Sequence, residues 1–425
     1  MKTEPAFDLA RDLFDKLATQ SFDGVGITRD TYGPGEQAAH DLVRAEAQRI
    51  GLEVTTDAAL NLYAALPGQD RTAPKVLVGS HLDSVPRGGN FDGAAGVLSG
   101  LAVLAGWRKA GFVPSADTVL VAIRAEESAW FPVSYIGSKA AFGRLDAAAL
   151  QVCRRDTGRS LANHLLEFGG HPEVIKSGVA ALDPARIARF VEVHIEQGPV
   201  LMGSEQAVGL VSSIRGSFRY RSATISGAYA HSGATPRELR RDAALAAARL
   251  ITEMDDIWSR RAEEGHDLVI TFGRLSTDPD EADFSKVAGR VDLSIDVRSA
   301  HATTLNLIET DLQDIADRVA KKGGVTIDLG TKTASTPAQM DPALIEAIRA
   351  ESKSLGIPVR SMPCGAGHDA SVFAHEGVPT AMLFIRNRNG SHNPREEMEF
   401  DDFMEATRVL ERGLALPVTN RKDPR

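Results

Sequence analysis

Strand-length apolar runs alternate with helical stretches through the first half of the chain. That alternation restricts the fold to an α/β layer with a partly parallel sheet. The runs lie at 60–66, 75–80 and 118–124, with helical spacing of apolar residues over 94–110 and about 136–150 between and after them. Upstream, 6–18 and 35–50 also read as helices; "PGEQAAHDLVRAEAQRIG" has Pro near its start and Gly at its end. "TVLVAIRAEES" and "RFVEVHIEQGP" read as buried strands ending in polar clusters. Open α/β sheets hold their ligands at such carboxyl ends.

The pattern changes near Ser213. "GSFRYRSATISGAYAH" alternates polar and apolar, as a half-exposed strand does. A helix follows over about 239–263, strands over 267–275 and 287–298, a helix over 302–322 and a strand over 324–330. That order, β-α-β-β-α-β, is an open-faced sandwich able to stand alone. The first pattern then resumes with a helix at 341–355, a strand at 378–385 and a helix at 401–413. The expected fold is α/β. A discontinuous domain, 1–212 and 331–425, carries a mixed, mainly parallel sheet flanked by helices, and an α+β sandwich, 213–330, is inserted into it. A length of 425 residues fits two domains better than one core.

Composition narrows the partners. A formal net charge of -9 with no long basic block disfavours nucleic acid. The two cysteines, Cys153 and Cys364, make no disulfide framework, which favours a cytoplasmic chain. "MKTEPAFDLARDLFDKL" is charged and amphipathic, unlike a signal peptide, and no run approaches the roughly 20 apolar residues of a membrane span, so no membrane partner is expected.

Five segments put carboxylates or imidazoles where strands should end: His81 with Asp83, Asp92, the pair Glu126-Glu127, His194, and His392 in "NGSHNPREE". Singly, each histidine is more often a hydrogen-bonded structural residue than a ligand. The glutamate pair is different, because "TVLVAIRA" precedes it and "SAWFP" follows, and buried carboxylates are costly unless something positive holds them. Together, three His, one Asp and one Glu form the mixed nitrogen and oxygen set that a pair of Zn, Mn, Co or Ni ions accepts. A bridging carboxylate would hold two such ions about 3.5–4 Å apart. Asp92 suits that role, since "RGGN" before it can turn the chain sharply. Asp83 is placed to fix the His81 imidazole. One glutamate can ligate while the other takes a proton from the attacking water. "GAGHDA" reads as a backbone loop near the metals, with His368 and Asp369 as site candidates, His368 toward substrate; Asp369 as a helix cap is the alternative. Cys364 reads as a small buried residue, and Ser232, lacking a nucleophile elbow, as a turn residue.

"GSHLDSVPRGGNFDGAAGVL", "RAEESAWF", "VEVHIEQGPVL", "SGAYAHSGATP", "GAGHDA" and "GSHNPREE" resemble the hydantoinase/carbamoylase group of the dinuclear-metal peptidase superfamily. N-carbamoyl-L-amino-acid hydrolase, β-ureidopropionase and allantoate amidohydrolase belong to it. The resemblance spans nearly the whole chain, and "HIEQGP" with "GSH…DSVPxGGxFDG" separates the group from aminopeptidases and aminoacylases. It implies two divalent transition-metal ions per subunit. Asp92 would bridge them, His81 and His194 would complete one site, and Glu127 and His392 the other. Glu126 would be the general base. His231, on the inserted domain, would stabilise the oxyanion in the partner subunit's active site. Gln197 would bind the substrate amide and Arg298 its carboxylate, a role suited to a guanidinium fork. The inserted domain would serve as lid and dimerisation domain of a homodimer with shared active sites.

Two stretches depart from the group. Relatives often carry an "NVxPG" segment where this chain has Ser285 and Lys286, and many are less basic at Arg386 and Arg388. Both stretches are expected to face substrate. The expected reaction removes an N-carbamoyl group from an amino acid, giving amino acid, CO2 and ammonia. Allantoate-type hydrolysis and a simple amidase or dipeptidase are the alternatives, as is a binding protein of the same fold that has lost catalysis.

Overall fold

The computed structural model describes residues 3–418. The chain divides into two compact units. The first comprises Met1–Ser212, Gln339–Met362 and His368–Arg425; the second comprises Ser213–Ala338 and Pro363–Gly367.

The strands are, in chain order, β1 Glu53–Thr56, β2 Leu62–Leu66, β3 Lys75–His81, β4 Thr118–Ile123, β5 Ile187–Ile195, β6 Val208–Ile214, β7 Gly216–Ser226, β8 Ala230–His231, β9 Val269–Thr277, β10 Lys286–Val287, β11 Arg290–Ser299, β12 Thr326–Asp328, β13 Lys332–Ser335, β14 Ala338–Gln339, β15 Val359–Cys364 and β16 Thr380–Ile385. The large sheet runs β1-β2-β4-β3-β5-β16-β6-β14, with β15 also on β6. Its middle, β4-β3-β5-β16, is parallel. The flanking pairs β1-β2, β2-β4 and β16-β6 are antiparallel. β4 and β16 are buried along their whole length, as strands covered on both faces must be. The helix Ala94–Ala110 is buried at every position from Ala94 to Trp107. It is apolar all round because it packs on β3, β4 and β5 and is itself covered by the helices Phe7–Ser21 and Phe400–Ala415.

The second unit is built on a five-stranded antiparallel sheet, β12-β7-β11-β9 with β13 also on β7. Two helices, Ala243–Glu263 and Ala302–Gly323, cover one face. Leu250, Met254, Ile308, Leu312 and Ile315 from these helices meet Leu293, Ile295 and Val297 of β11 in its core. β11 alternates buried and half-buried residues along its length, the period-two signature of a sheet covered on one side.

Several elements differ from the expected ones. The helix expected over 136–150 is Ile136–Ala141, then a break at Gly143, whose φ is +66°, then a short 3₁₀ turn Ala147–Gln151 capped by Asp146. The helix expected from 239 starts at Ala243, because the Asp242 side chain accepts the Leu245 N–H and sets the N-terminus there. β1, β13 and β14 are two to four residues long, too short to leave a periodic pattern. No helix among the described residues is long and apolar enough to cross a membrane.

Candidate metal centre and active site

The carboxyl ends of the four parallel strands gather the candidate site. His81 is the last residue of β3, and His194 is next to last in β5. Glu126 and Glu127 follow β4, and His392 lies in the loop after β16. Asp92 sits just before the helix Ala94–Ala110, joined to it by Gly93. Gly93 has φ +67°, and a Cβ there would lie 2.5 Å from the His81 ring, so only glycine lets this turn close on the imidazole.

Two groups of donor atoms result, each within 4.8 Å: His81, Asp92 and His194, and Asp92, Glu127 and His392. Asp92 is common to both. His194 Nε2 lies 3.0 Å and His81 Nε2 3.5 Å from Asp92 Oδ1. His392 Nε2 lies 3.4 Å from Asp92 Oδ2 and 3.2 Å from Glu127 Oε1. Glu126 belongs to neither group; its nearest imidazole contact is His81 Nε2, at 4.0 Å.

The donor chemistry fits a cation. His81 Nδ1 lies 3.0 Å from the Asp83 carbonyl oxygen, and His194 Nδ1 lies 2.9 Å from the Ile195 carbonyl oxygen. A carbonyl only accepts, so each Nδ1 carries the proton and each neutral ring turns an Nε2 lone pair inward. Those two Nε2 atoms face each other at 3.4 Å. Beside them Asp92 Oδ1 is buried with no hydrogen bond. The Gly93 N–H donates to His194 Nε2 at 3.2 Å, but His81 Nε2 faces that ring nitrogen and the carboxylates of Asp92 and Glu126. That arrangement, with an orphaned buried carboxylate oxygen beside it, is unfavourable unless a positive charge joins the groups. The electrostatics agree. Burial opposes charge on His81, but Asp83, Asp92 and Glu126 overcome it and raise its pKa. His194 is raised by Asp92 against the same burial cost. His392 is raised by Asp92 and Glu127. The carboxylates thus draw positive charge onto all three rings, and a divalent cation would supply that charge instead of protons.

Asp83 links the parts and is fully buried. Its carboxylate accepts the Glu126 N–H at 3.1 Å on Oδ1, and the Glu127 N–H at 3.2 Å and the Thr31 hydroxyl at 2.6 Å on Oδ2. Oδ1 also lies 3.3 Å from His81 Nδ1. One carboxylate therefore ties an imidazole to both glutamates. Burial pushes the Glu126 pKa well up, and the charges of Glu127, Asp369 and Asp83 add to this against His81.

The other candidates are placed as follows. Gln197 Nε2 donates to Asp92 Oδ2 at 3.0 Å and lies 3.3 Å from His392 Nε2. His368 is buried, its ring 4.3 Å from that of His194, with neither nitrogen hydrogen-bonded. Asp369 does not cap its helix. It is the helix's first residue, and its Oδ1 accepts the Ser138 hydroxyl at 2.5 Å. Cys364 is buried and Cys153 exposed.

In the second unit, His231 is exposed on β8, with Lys286 as its cross-strand partner on β10. Ser285 accepts the Ser232 N–H through its carbonyl. The His231 Nδ1 accepts the N–H groups of Gly233 and Ala234 at 3.2 and 3.1 Å. Its proton therefore resides on Nε2, which is free to donate outward. Arg298 gives Nε and Nη2 to Asp296 at 3.1 and 2.8 Å, and Nη1 to the Gly365 carbonyl at 2.6 Å. Asp296 fills one edge of the fork, so an incoming carboxylate has only the remaining Nη protons. Arg386 holds Asp402 through Nε and Nη2 at 2.7 and 2.8 Å, and Arg388 pairs with Glu399 at 3.3 Å. Arg386 thus serves the start of the helix Phe400–Ala415, where acidic residues near the N-terminus are favourable, rather than presenting a free fork to substrate, while Arg388 stays about half exposed.

Sequence reasoning missed the supports. Arg29 is fully buried. It donates Nε to the Leu82 carbonyl at 2.6 Å and Nη2 to the Asp92 carbonyl at 3.3 Å, pinning the loops after β3. Glu396 accepts the N–H groups of Phe91 and Asp92 at 2.8 and 3.2 Å. Ser391 Oγ lies 2.5 Å from Asp92 Oδ2 and 2.7 Å from Glu396 Oε2. Glu396 stands in the motif "GSHNPREE", so a signal for it existed. Arg29 had none, since nothing local marks a buried charge.

The sequence model of peptidase family M20/M25/M40 matches residues 77–415. The chain belongs to that family. An N-carbamoyl-L-amino-acid amidohydrolase of Paenarthrobacter aurescens is 33% identical over 396 residues, 93% of this chain and 94% of that one. An allantoate amidohydrolase of Escherichia coli (strain K12) is 32% identical over 388 residues, 91% of each chain. A hydantoinase/carbamoylase family amidase from Burkholderia ambifaria has a similar structure, with a TM-score of 0.85 and 28% identity over 98% of this chain and 99% of that one. Within family M20/M25/M40 the chain thus falls in the hydantoinase/carbamoylase group, as its motifs indicate. The mainly parallel, helix-flanked sheet is the fold that this group shares.

Proposed function

We propose that the chain is a metal-dependent amidohydrolase that removes the N-carbamoyl group from an N-carbamoyl amino acid, giving the amino acid, CO2 and ammonia. The observation that carries this reading is the arrangement around Asp92: two donor groups share its carboxylate, and Glu126, 4.0 Å from His81 Nε2, belongs to neither. His81 and His194 would hold one ion and Glu127 and His392 the other, with Asp92 between them; Zn, Mn, Co and Ni all suit this donor set. Bound there, the ions would polarise the ureido carbonyl and make water nucleophilic at neutral pH.

The chain's own groups supply the rest. Glu126, raised by burial, takes a proton from the attacking water and returns it to the leaving nitrogen. One C–O bond forms, one C–N bond breaks, and the carbamic acid product loses CO2. Gln197 and His368 would contact the substrate amide, and the remaining Arg298 protons its carboxylate.

The allantoate amidohydrolase reading stays next, because relatives of that name are 32% identical, against 33% and 35% for two carbamoylases. A panel of N-carbamoyl amino acids, allantoate and dipeptides, offered to protein loaded with Mn, Co, Ni or Zn, separates the readings. Ammonia and free amino acid from the carbamoyl substrates are expected. Cleavage of dipeptides alone would make the chain a peptidase, and no turnover on any metal would leave a binding protein. On this reading the enzyme would work in the cytoplasm, which the thiols of Cys153 and Cys364 support.

The second unit would act as lid and dimerisation domain. Among the described residues β9 is an edge strand paired only with β11, and Leu275 on it is 55% exposed, so a second copy has an edge to cover. The free Nε2 proton of His231 would then serve the neighbouring subunit's oxyanion. Such a donor acts on the transition state, so His231→Ala should lower kcat far more than it raises KM. Co-expressing His231→Ala with Glu126→Gln should restore one competent site per heterodimer. A monomer in solution, or inactive verified heterodimers, would rule out the shared site.

A further inference from the structure

We propose that Glu36 is a positioning residue that sets the turn carrying Glu126 and Glu127. The inference rests on the role given to Glu126 above, but Glu36 itself lies outside the 77–415 span that the family matches.

Four successive backbone N–H groups of this turn are all bound by side chains. Arg124 donates to Asn61 Oδ1 at 2.9 Å, Ala125 to Glu36 Oε1 at 2.9 Å, and Glu126 and Glu127 to Asp83 at 3.1 and 3.2 Å. The carbonyls of Arg124, Ala125 and Glu126 accept the N–H groups of Gly137, Ile136 and Tyr135, each at 3.0 Å. Gly137 fits there because a Cβ would stand 2.3 Å from the Arg124 carbonyl oxygen.

The turn needs this holding. Ala125 has φ +56°, a left-handed conformation that a residue with a Cβ adopts at a cost. Relaxing Ala125 to the right-handed region would swing the next peptide plane and re-aim the Glu126 side chain. The Ile136 N–H and Asp83 hold the peptide plane after Ala125, and Glu36 holds the Ala125 N–H on the plane before it, so that φ is fixed from both sides. The Glu36 carboxylate, in the first turn of the helix Pro34–Arg49, is fully buried and held from behind. Its Oε2 accepts the Tyr32 N–H at 2.6 Å and Arg124 Nη1 at 3.1 Å. Arg124 is fixed in turn by Gln37 Oε1 at 2.5 Å. Glu36 thus presents a rigid acceptor to a strained residue one position before the base. Displacing a reacting group by about 1 Å can cost 10²-fold in rate.

Glu36→Gln tests this. An amide has one acceptor oxygen, so either Ala125 or the Tyr32–Arg124 side must face an NH2 group. In the metal-loaded protein we expect kcat to fall about 10- to 100-fold with KM changed less than about threefold and metal content unchanged. Amide hydrogen exchange at 124–127 should quicken while strand Thr118–Ile123 stays protected. Adding Ala125→Gly should recover kcat several-fold without recovering Tm, because glycine adopts positive φ freely. A purely structural role predicts the reverse: a lower Tm, unchanged activity per folded molecule and no rescue. Folded Glu36→Gln with kcat within about twofold of wild type, or with unchanged exchange at 124–127, overturns the proposal. Should Glu36→Gln not fold, Glu36→Asp decides. It keeps the charge near Arg124 but withdraws the carboxylate from Ala125, and wild-type kcat and exchange in that variant overturn the proposal equally. If wild-type protein hydrolyses none of the substrates, the functional reading fails, while the exchange measurement still decides Glu36.

Discussion

Glu126→Gln is expected to lower kcat by about 10²–10⁴-fold, or about 2.7–5.4 kcal/mol of barrier, while metal content stays at the wild-type level. The substitution keeps size and hydrogen-bonding shape and removes only the proton acceptor. Metal should be retained because Glu126 stands outside both donor groups. The neighbouring Glu127→Gln should behave differently. Glu127 Oε1 lies 3.2 Å from His392 Nε2 and is one of three donors in its group, so a neutral amide there should weaken metal binding first and activity as a consequence. Excess metal should then restore part of the activity of Glu127→Gln and none of that of Glu126→Gln. Metal analysis and kcat on a common N-carbamoyl substrate read both. If the two phenotypes exchange, Glu127 is the base and Glu126 the ligand.

The difference between these adjacent glutamates marks what the sequence could and could not say. An apolar run followed by "EES" made it plain that a buried strand ends in two carboxylates, and the large sheet follows from such runs. Which carboxylate points to which imidazole depends on the turn at Ala125, and a positive φ on alanine leaves no pattern in a sequence. The same holds for Asp83. Its spacing from His81 suggested a carboxylate partner for the ring, yet the closest acceptor is the Asp83 carbonyl oxygen, and the carboxylate mainly holds the two glutamate N–H groups. Those bonds join residues more than forty positions apart. Arg386 shows the opposite error: a basic residue near a candidate ligand suggested substrate contact, but Asp402, sixteen residues on, already takes its fork. Charge near a site is legible locally, whereas its partner depends on tertiary packing. The β-α-β-β-α-β block was legible because its core strand β11 and two long helices each keep a clean period.

Asp92→Ala is expected to abolish turnover and to lose both metals together. Its two carboxylate oxygens face different partners, Oδ1 toward His194 and His81, and Oδ2 toward His392 and Gln197. Removing them leaves each donor group with two protein ligands, fewer than the three that catalytic sites of this chemistry keep. The backbone should survive, because Glu396 holds the Asp92 N–H and Arg29 the Asp92 carbonyl, neither of which needs the side chain. Folding and metal loss can therefore be read separately. In wild type, metal at about 100 times its Kd should stabilise the fold by about 2.7 kcal/mol for each ion bound, so chelation should lower Tm and abolish activity, and added Mn, Co, Ni or Zn should restore both. In Asp92→Ala, Tm should not respond to metal or chelator at all. A variant that lost one metal and kept the other would show that Asp92 serves a single ion. Full activity in metal-free wild type would remove the ground for every role assigned around Asp92, since the facing Nε2 lone pairs and the orphaned Oδ1 would then need another explanation.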